Sequence, residues 1–378
     1  MNSLIYLDNA ATTFPKPYAV LNASMSAARF HAGNPGRGGH SLARAADAEI
    51  YACRKALKEF FNAPSTENVI LTHNATASLN ICINGLIKPG ERVITTDFEH
   101  NSVRRPLHRV GAEVTKAETL FDEDDETVER FRGSLAGGVK WLVVCHASNV
   151  WGKSIPLKRI TALAHEYGAK VIVDASQSAG YLKIDVVNDG IDYLCAPGHK
   201  GMYGPQGTGF LIVNSDISPK PLSVGGTGSN SFSLEQPDYL PDALESGTLN
   251  VPAAAGLRRG VQFLRSSGVE KLHAYEIGLA KRVYDGLKRI KNVSLYTSAP
   301  TLSDSPVVSF NVGKLPSFAA AEAYDARGVC LRPGYHCAPD AHTKLGTKDT
   351  GTVRLSVGAM NYASEIDTFL EITQKISK

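Results

Sequence analysis

Near the C-terminus the chain reads RPGYHCAPDAH over residues 332–342. One cysteine, Cys337, stands in this stretch, with His336 before it, Arg332 five residues upstream and His342 beyond it. Three chemistries compete for such a thiol. Cys337, His336 and His342 offer the donors of a metal site, but no CxxC or HExxH spacing accompanies them, so the zinc signal is weak and no metal is expected. As a packing residue the thiol would sit better inside a strand than among Gly and Pro, which mark a loop, and loops of this kind carry functional groups. The third chemistry is nucleophilic: the neighbouring Arg332 and His336 favour the thiolate, which is the reactive form.

Two other residues carry a sharper signature. Asp174 closes the apolar run KVIVD, and Lys200 lies in CAPGHKGMYGPQGTG, between the end of the next apolar run and a Gly-rich turn, with His199 beside it. Taken singly, the Asp can be a helix cap and the Lys a solvated surface residue. Together, a strand-end carboxylate and a lysine one strand later have a specific use. Pyridoxal phosphate forms a Schiff base with a lysine and needs a carboxylate against its pyridinium nitrogen. Gln177, three residues past Asp174, is placed to donate to the ring's phenolic oxygen. A phosphate needs backbone N–H groups at a helix N-terminus; HNATAS (73–78) supplies them, with Thr76 as a side-chain donor. There is no GxxxxGK[ST], and GNPGRGG (33–39) lacks the preceding strand that a dinucleotide fingerprint requires.

These groups have to be positioned by the elements around them. NVILT (68–72), RVITT (92–96), VKWLVVC (139–145), KVIVDA (170–175), DYLCA (192–196) and TGFLIV (208–213) are short runs, mostly apolar on both faces, as parallel strands under helices are. Helical patterns such as ASLNICINGLI (77–87) and SIPLKRITALAHEYGA (154–169) alternate with them. That alternation predicts an α/β doubly wound sheet, with ligands gathered at the carboxyl ends of its strands. A loop-like segment, SVGGTGSNSFSLEQPDYLPD (223–242), then precedes ESGTLN and a long helix starting near Pro252. Beyond residue 300 the order becomes strand (SPVVSFNV), helix (AAAEAYDARG), strand (TVRLSV) and terminal helix (ASEIDTFLEITQKI), which predicts a smaller α+β domain joined by the N-terminal segment. The expected division is a large domain of residues 14–255 and a small domain of residues 1–13 with 256–378.

With 378 residues, 43% hydrophobic and 20% charged, the chain has the composition of a folded protein long enough for two domains. A net charge of +3 without a long basic stripe argues against nucleic acid as a partner. MNSLIYLDNAATTF is not a signal peptide, and no run approaches the roughly 18–20 apolar residues that span a bilayer, so no membrane is expected. The six cysteines are scattered, which points to reduced thiols in a cytoplasm. Cys53, Cys82, Cys145 and Cys195 fall in apolar patterns and read as core.

In order along nearly the whole chain, YLDNAATT (6–13), NPGRGGHSLARAA (34–46), THNATASLN (72–80), FEHNSV (98–103), CHASNVWG (145–152), VDASQSAG (173–180), PGHKGMYGPQGTG (197–209), ESGTLN (245–250) and RPGYHCA (332–338) resemble the cysteine desulfurase family, related to the class V aminotransferases. The resemblance is strongest to the group II desulfurases and selenocysteine lyases. It implies the type I fold of pyridoxal-phosphate-dependent transferases: a large domain with a mainly parallel seven-stranded sheet plus a smaller α+β C-terminal domain. It also implies a role for each matched position. Lys200 is the Schiff-base lysine, Asp174 the pyridinium partner, His100 the group stacked on the ring, and Gln177 the partner of the phenolic oxygen. Asn149 lies beside the ring and the substrate carboxylate. Ala75, Thr76 and His199 hold the phosphate, and Thr248 reaches the cofactor of a neighbouring subunit, which requires a homodimer. Arg354 grips the substrate carboxylate, as a planar guanidinium suits, with Arg332 and Arg37 lining the site more peripherally and Ala10 also on the substrate side.

The motif RPGYHCA places the persulfide-forming cysteine at Cys337, and the implied reaction turns L-cysteine into L-alanine with sulfur passed to an acceptor protein. Two positions depart from the family pattern: Pro197 replaces a common serine, and Ala75 the first of a threonine pair, so phosphate binding should lean on backbone groups and Thr76. Other readings are a lyase acting on L-selenocysteine, a C–S lyase releasing pyruvate and ammonia, a class V aminotransferase, and a silent scaffold on the same fold.

Overall fold

The computed structural model describes residues 4–31, 33–36, 38–229 and 231–378. Its first elements are β1 (Ile5–Tyr6), α1 (Tyr18–Phe30), α2 (Ser41–Phe61), β2 (Val69–Thr72), α3 (Ala75–Leu86), β3 (Arg92–Thr96) and α4 (Asn101–Val110). Next come β4 (Glu113–Ala117), α5 (Asp124–Leu135), β5 (Trp141–Cys145), α6 (Leu157–Glu166), β6 (Lys170–Asp174), β7 (Tyr193–Pro197) and β8 (Gly209–Val213). After the predicted loop the chain continues as α7 (Val251–Ser267), α8 (Val269–Lys288), β9 (Val293–Leu295), β10 (Val307–Val312) and α9 (Ser317–Asp325). It ends with β11 (Val329–Cys330), β12 (Arg332–Gly334), α10 (Pro339–Lys344), β13 (Thr352–Ser356) and α11 (Ala363–Ile376).

The large sheet has seven strands in the order β2-β8-β7-β6-β5-β3-β4. β4, β3, β5, β6 and β7 are mutually parallel. β8 runs antiparallel to both β7 and β2, so it alone opposes the common direction. β5, β7 and β8 are buried at every residue, because helices cover both faces. Each face has its own core. One is built around Phe61, Phe98, Trp151 and Leu194, the other around Ile70, Leu79, Val143 and Tyr193. β4 escaped the reading from sequence: EVTKA is a sheet edge whose first four residues are exposed, so it carries no apolar run.

The second sheet is antiparallel, in the order β12-β13-β10-β9, and packs with α8, α9 and α11 around Phe310, Tyr324, Leu355 and Phe369. β1 pairs in parallel with β11, tying the N-terminus to this part of the molecule. Residue 255, the expected division point, lies inside α7, whose Val251, Ala254, Leu257, Val261 and Leu264 belong to the core of the large sheet. No helix among the described residues is long and apolar enough to cross a membrane.

Candidate active site

Because the parallel strands share one direction, their carboxyl ends lie along a single edge of the sheet. β2 delivers Asn74 there, and the Asn74 side chain caps α3 by accepting the N–H of Ala77 at 2.9 Å. The N–H groups of Ala75 and Thr76, at the first turn of α3, have no hydrogen-bond partner among the described residues. Thr76 Oγ1 lies 2.7 Å from Ser102 Oγ, which lies 2.9 Å from His100 Nδ1. His100 caps α4: its Nδ1 accepts the N–H of Ser102 at 3.0 Å. Nδ1 is therefore an acceptor, and burial lowers the imidazole pKa to about 4, so the ring is neutral with its proton on Nε2.

β6 and β7 bring the remaining groups. Asp174 is buried, and its Oδ1 accepts from the N–H of Ser176 at 2.9 Å. Gln177 is buried too; its Nε2 donates to the carbonyl of Ala10 at 3.0 Å, while its Oε1 has no partner. Burial first, and then the positive charge of Arg354, lower the Lys200 amine to about 8, against the opposing pull of Asp174. His199 is likewise held neutral by burial, at about 4, and its buried Nδ1 has no partner. Asn74, Thr76, His100, Asn149, Asp174, Gln177, His199 and Lys200 all line one cavity, together with Cys145 and Pro197. The turn after Asp174 presses on the turn after Lys200. A Cβ built at Gly180, where φ is +87°, would stand 2.2 Å from the carbonyl oxygen of Gly201, so only glycine fits.

The second sheet supplies the arginines. Arg354 in β13 is buried; its guanidinium pairs with Asp8 at 2.8 Å and donates to the carbonyl of Asn149 at 3.0 Å, leaving Nε unpartnered. Arg332 in β12 lies directly opposite it in the sheet register. The Arg332 side chain forms no hydrogen bond or ion pair among the described residues, yet its charge acts on His100, Lys200 and Arg354. Expected to be peripheral, it is the freer of the two cations.

Cys337 is exposed and occupies a turn rather than the cavity wall. His336 and Cys337 both adopt left-handed backbone, with φ of +49° and +59°, a conformation that costs a non-glycine residue and clusters at functional sites. Two contacts bind the turn to the site: the N–H of Asn101 donates to the carbonyl of Cys337 at 2.7 Å, and Asn149 Nδ2 donates to the carbonyl of His336 at 2.6 Å. Arg104 and Lys116 each reach Asp340 at 2.8 Å. Ala338 and Ala341 are buried in the core of the large sheet.

One expectation is corrected here. The His336 ring is buried, with Nε2 3.1 Å from Thr352 Oγ1, and burial beside Arg354 drives its pKa well below the ordinary value. The ring is neutral and lends no positive charge to the thiol.

Thr248 lies elsewhere. It is exposed and lines a separate cavity with Leu71, His73 and Leu222. Arg37 lies outside the described residues. Cys53, Cys82, Cys145 and Cys195 are buried, as their apolar settings predicted. Two participants escaped the reading from sequence. Ser102 follows His100 by two residues, the spacing of a helix cap. Glu99 is buried, and its Oε1 accepts from Thr96 Oγ1 at 2.7 Å and from the N–H of Cys145 at 2.8 Å; burial raises its carboxyl to about 8.

The family model for class V aminotransferases matches residues 5–369. A probable cysteine desulfurase of Synechocystis sp. is 35% identical, over 98% of this chain and 90% of its own length. Another from Pyrococcus abyssi is 32% identical, over 99% and 94%. Among solved structures, the cysteine desulfurase of Thermococcus onnurineus superposes with a TM-score of 0.90 at 30% identity, covering 99% of this chain and 94% of that one. The cysteine desulfurase CsdA of Escherichia coli gives 0.85 at 26%, covering 98% and 94%. The chain has the type I fold of pyridoxal-phosphate-dependent transferases. It belongs to the class V aminotransferase family and, within it, to the cysteine desulfurases.

Proposed function

We propose that this protein converts L-cysteine to L-alanine, takes the sulfur onto Cys337 as a persulfide and passes it to an acceptor protein. One observation carries the reading. A buried carboxylate, an amine brought down to about 8, and a neutral imidazole share one cavity, and an exposed thiol sits on a turn hydrogen-bonded to Asn149 of that cavity.

The donor set fits pyridoxal phosphate. The free N–H groups of Ala75 and Thr76, the Thr76 hydroxyl and the orphaned Nδ1 of His199 suit a phosphate at a helix N-terminus. Pro197 brings neither hydroxyl nor N–H to that group, which leaves the load on the backbone of α3. Asp174 would hold the proton on the ring nitrogen, Gln177 would meet the phenolic oxygen, and uncharged His100 suits the ring face. Lys200 would bind it covalently, with Asn149 alongside. When bound, this cofactor supplies the electron sink that makes the substrate's α-proton removable.

The chain's own groups do the rest. The substrate carboxylate meets Arg332 and the remaining donors of Arg354, with the Ala10 backbone at the margin. Lys200 Nζ, near neutrality at working pH, takes the α-proton and later returns a proton to the carbon fragment. The Cys337 thiolate attacks the substrate sulfur: the S–S bond forms as the Cβ–S bond breaks, and the electron pair stays with the carbon fragment that leaves as alanine. L-selenocysteine carries the same amine and carboxylate and would meet the same groups.

The protein also acts, in this reading, as a homodimer in the cytoplasm, with Thr248 at the cofactor of the other subunit; that Thr248 does not line the Lys200 cavity of its own chain supports that role. We propose two domains, 14–255 against 1–13 with 256–378; the separate cores of the two sheets support such a division, while α7 packs on the large one beyond residue 255. The test is product analysis on L-cysteine with a thiol reductant, wild type against Cys337→Ala. Alanine and sulfide in equal amounts from the wild type, lost in the variant, are expected; pyruvate and ammonia from both at similar rates would overturn the reading in favour of a C–S lyase.

A further inference from the structure

Residues 8–16, DNAATTFPK, cross the site as a strap, and their contacts fall on the groups that the chemistry needs. Asp8 pairs with Arg354 at 2.8 Å, and the carbonyl of Ala10 holds Gln177 at 3.0 Å. The densest contacts are on the peptide that joins His199 to Lys200. The carbonyl of His199 is approached by Thr12 Oγ1 at 3.1 Å, the N–H of Thr13 at 3.1 Å, Thr13 Oγ1 at 3.2 Å and Lys16 Nζ at 2.6 Å. Lys16 Nζ also donates to Thr13 Oγ1 at 2.6 Å, and Thr13 Oγ1 lies 3.1 Å from the carbonyl of Lys200 itself.

A carbonyl oxygen has two lone pairs, so these donors compete, and the one at the shortest distance, the Lys16 amine, dominates. The Lys16 amine also occupies Thr13 Oγ1 as an acceptor. That leaves the single hydroxyl proton of Thr13 to point onward to the backbone of Lys200. The result is a relay of two hydrogen bonds, from Lys16 through Thr13 to the carbonyl of Lys200.

Lys16 is an unusual anchor. It pairs with no carboxylate among the described residues, and burial alone lowers its amine to about 7. A lysine used only to pin the strap would gain more from an acidic partner or from an apolar side chain of the same length, because burying an amine away from water costs free energy. What the amine does here is donate to a carbonyl one residue before the reactive lysine.

We propose that Lys16 is a positioning residue for Lys200, fixing the His199–Lys200 peptide so that the reactive amine is held in register with the cavity. The proposal rests on the reading of Lys200 as the cofactor lysine, and its test separates the two.

The variants are Lys16→Met, which keeps the stem and removes the amine, and Lys16→Arg, which keeps N–H donors at the end of a long stem. In the full chain before pyridoxal phosphate is added, amide exchange of the peptide spanning 198–204 should be at least tenfold faster in Lys16→Met. After pyridoxal phosphate is added, the visible absorption band should persist, its visible circular dichroism should fall by half or more, and kcat on L-cysteine should drop about tenfold with KM within threefold. Lys16→Arg should restore all of these to within threefold of wild type. Wild-type exchange and dichroism in Lys16→Met would overturn the proposal. So would equal losses in Lys16→Met and Lys16→Arg, which would mark the stem's packing as the cause. A visible band missing from wild type, or kept in Lys200→Ala, refutes the cofactor reading instead; the exchange result still reports on Lys16.

Discussion

The cavity around Lys200 and the turn that carries Cys337 solve opposite problems. In and around the cavity, burial does the tuning: it lowers Lys200 to about 8 and His100 and His199 to about 4, and it raises nearby Glu99 to about 8. Every one of these shifts favours the uncharged form, as desolvation must. Beside these groups stand Asp174, whose Oδ1 accepts an N–H, and, from the second sheet, Arg354 paired with Asp8. At Cys337 there is no such burial. The thiol is exposed, and what is specified is backbone shape, with two consecutive left-handed residues held by Asn101 and Asn149. A carbanion needs a dry, preorganised site, whereas a sulfur carrier has to meet a substrate on one side and a partner protein on the other. Separating the two lets each have the environment its chemistry requires.

The largest effect expected comes from breaking the cavity at its centre. Lys200→Ala should lose the visible band of the bound cofactor and at least ~1,000-fold in alanine formation, because on the proposed reading it removes both the covalent anchor and the proton carrier. Cys337→Ala should leave that band unchanged while cutting reductant-dependent alanine formation by ~100-fold or more, measured as alanine released per site. A variant that lost both properties would show that the two regions are not separable.

A third expectation concerns pH. Capture of pyridoxal phosphate needs the lone pair of Lys200, present only in the neutral amine. The Lys200 pKa stands below its ordinary value, so the neutral fraction, and with it the rate at which the visible band appears, rises as pH climbs through about 8. Arg354→Gln removes a positive charge that favours the neutral form and should move this midpoint upward. Asp174→Asn removes a negative charge that favours the ammonium and should move it downward; stopped-flow absorbance over a pH series reads all three. The smallest effect belongs to Ser102→Ala, which breaks the link between Thr76 and His100. One hydrogen bond of this kind is worth about 1 kcal/mol, so affinity for pyridoxal phosphate should weaken roughly fivefold in an equilibrium titration.

These two regions also differed in how far the sequence disclosed them. The strands that end at the cavity are apolar on both faces, so KVIVD and the run before GHK announced Asp174 and Lys200 as strand-end groups. β4 was silent, because its outward residues follow the solvent and not a core. Around Cys337 the motif gave the residue, but the charge logic drawn from sequence neighbours failed. His336 stands next to the thiol in the chain, yet its ring is buried toward Thr352 and held neutral, because alternate neighbours in a turn face different surroundings. Arg332 was underrated for the converse reason: only the pairing of β12 with β13 sets it across from Arg354. Ser102 and Asp8 are invisible until the fold brings them to Thr76 and Arg354.

The central claim is that sulfur leaves the substrate as a persulfide on Cys337. The direct measurement is mass spectrometry of peptides from protein loaded with pyridoxal phosphate and treated with one equivalent of L-cysteine in the absence of reductant, with alanine quantified in the same sample. The prediction is a mass gain of one sulfur atom on the peptide containing Cys337, on no other cysteine peptide, matched by alanine in equal amount. Free sulfide and pyruvate beside an unmodified Cys337 peptide would contradict it.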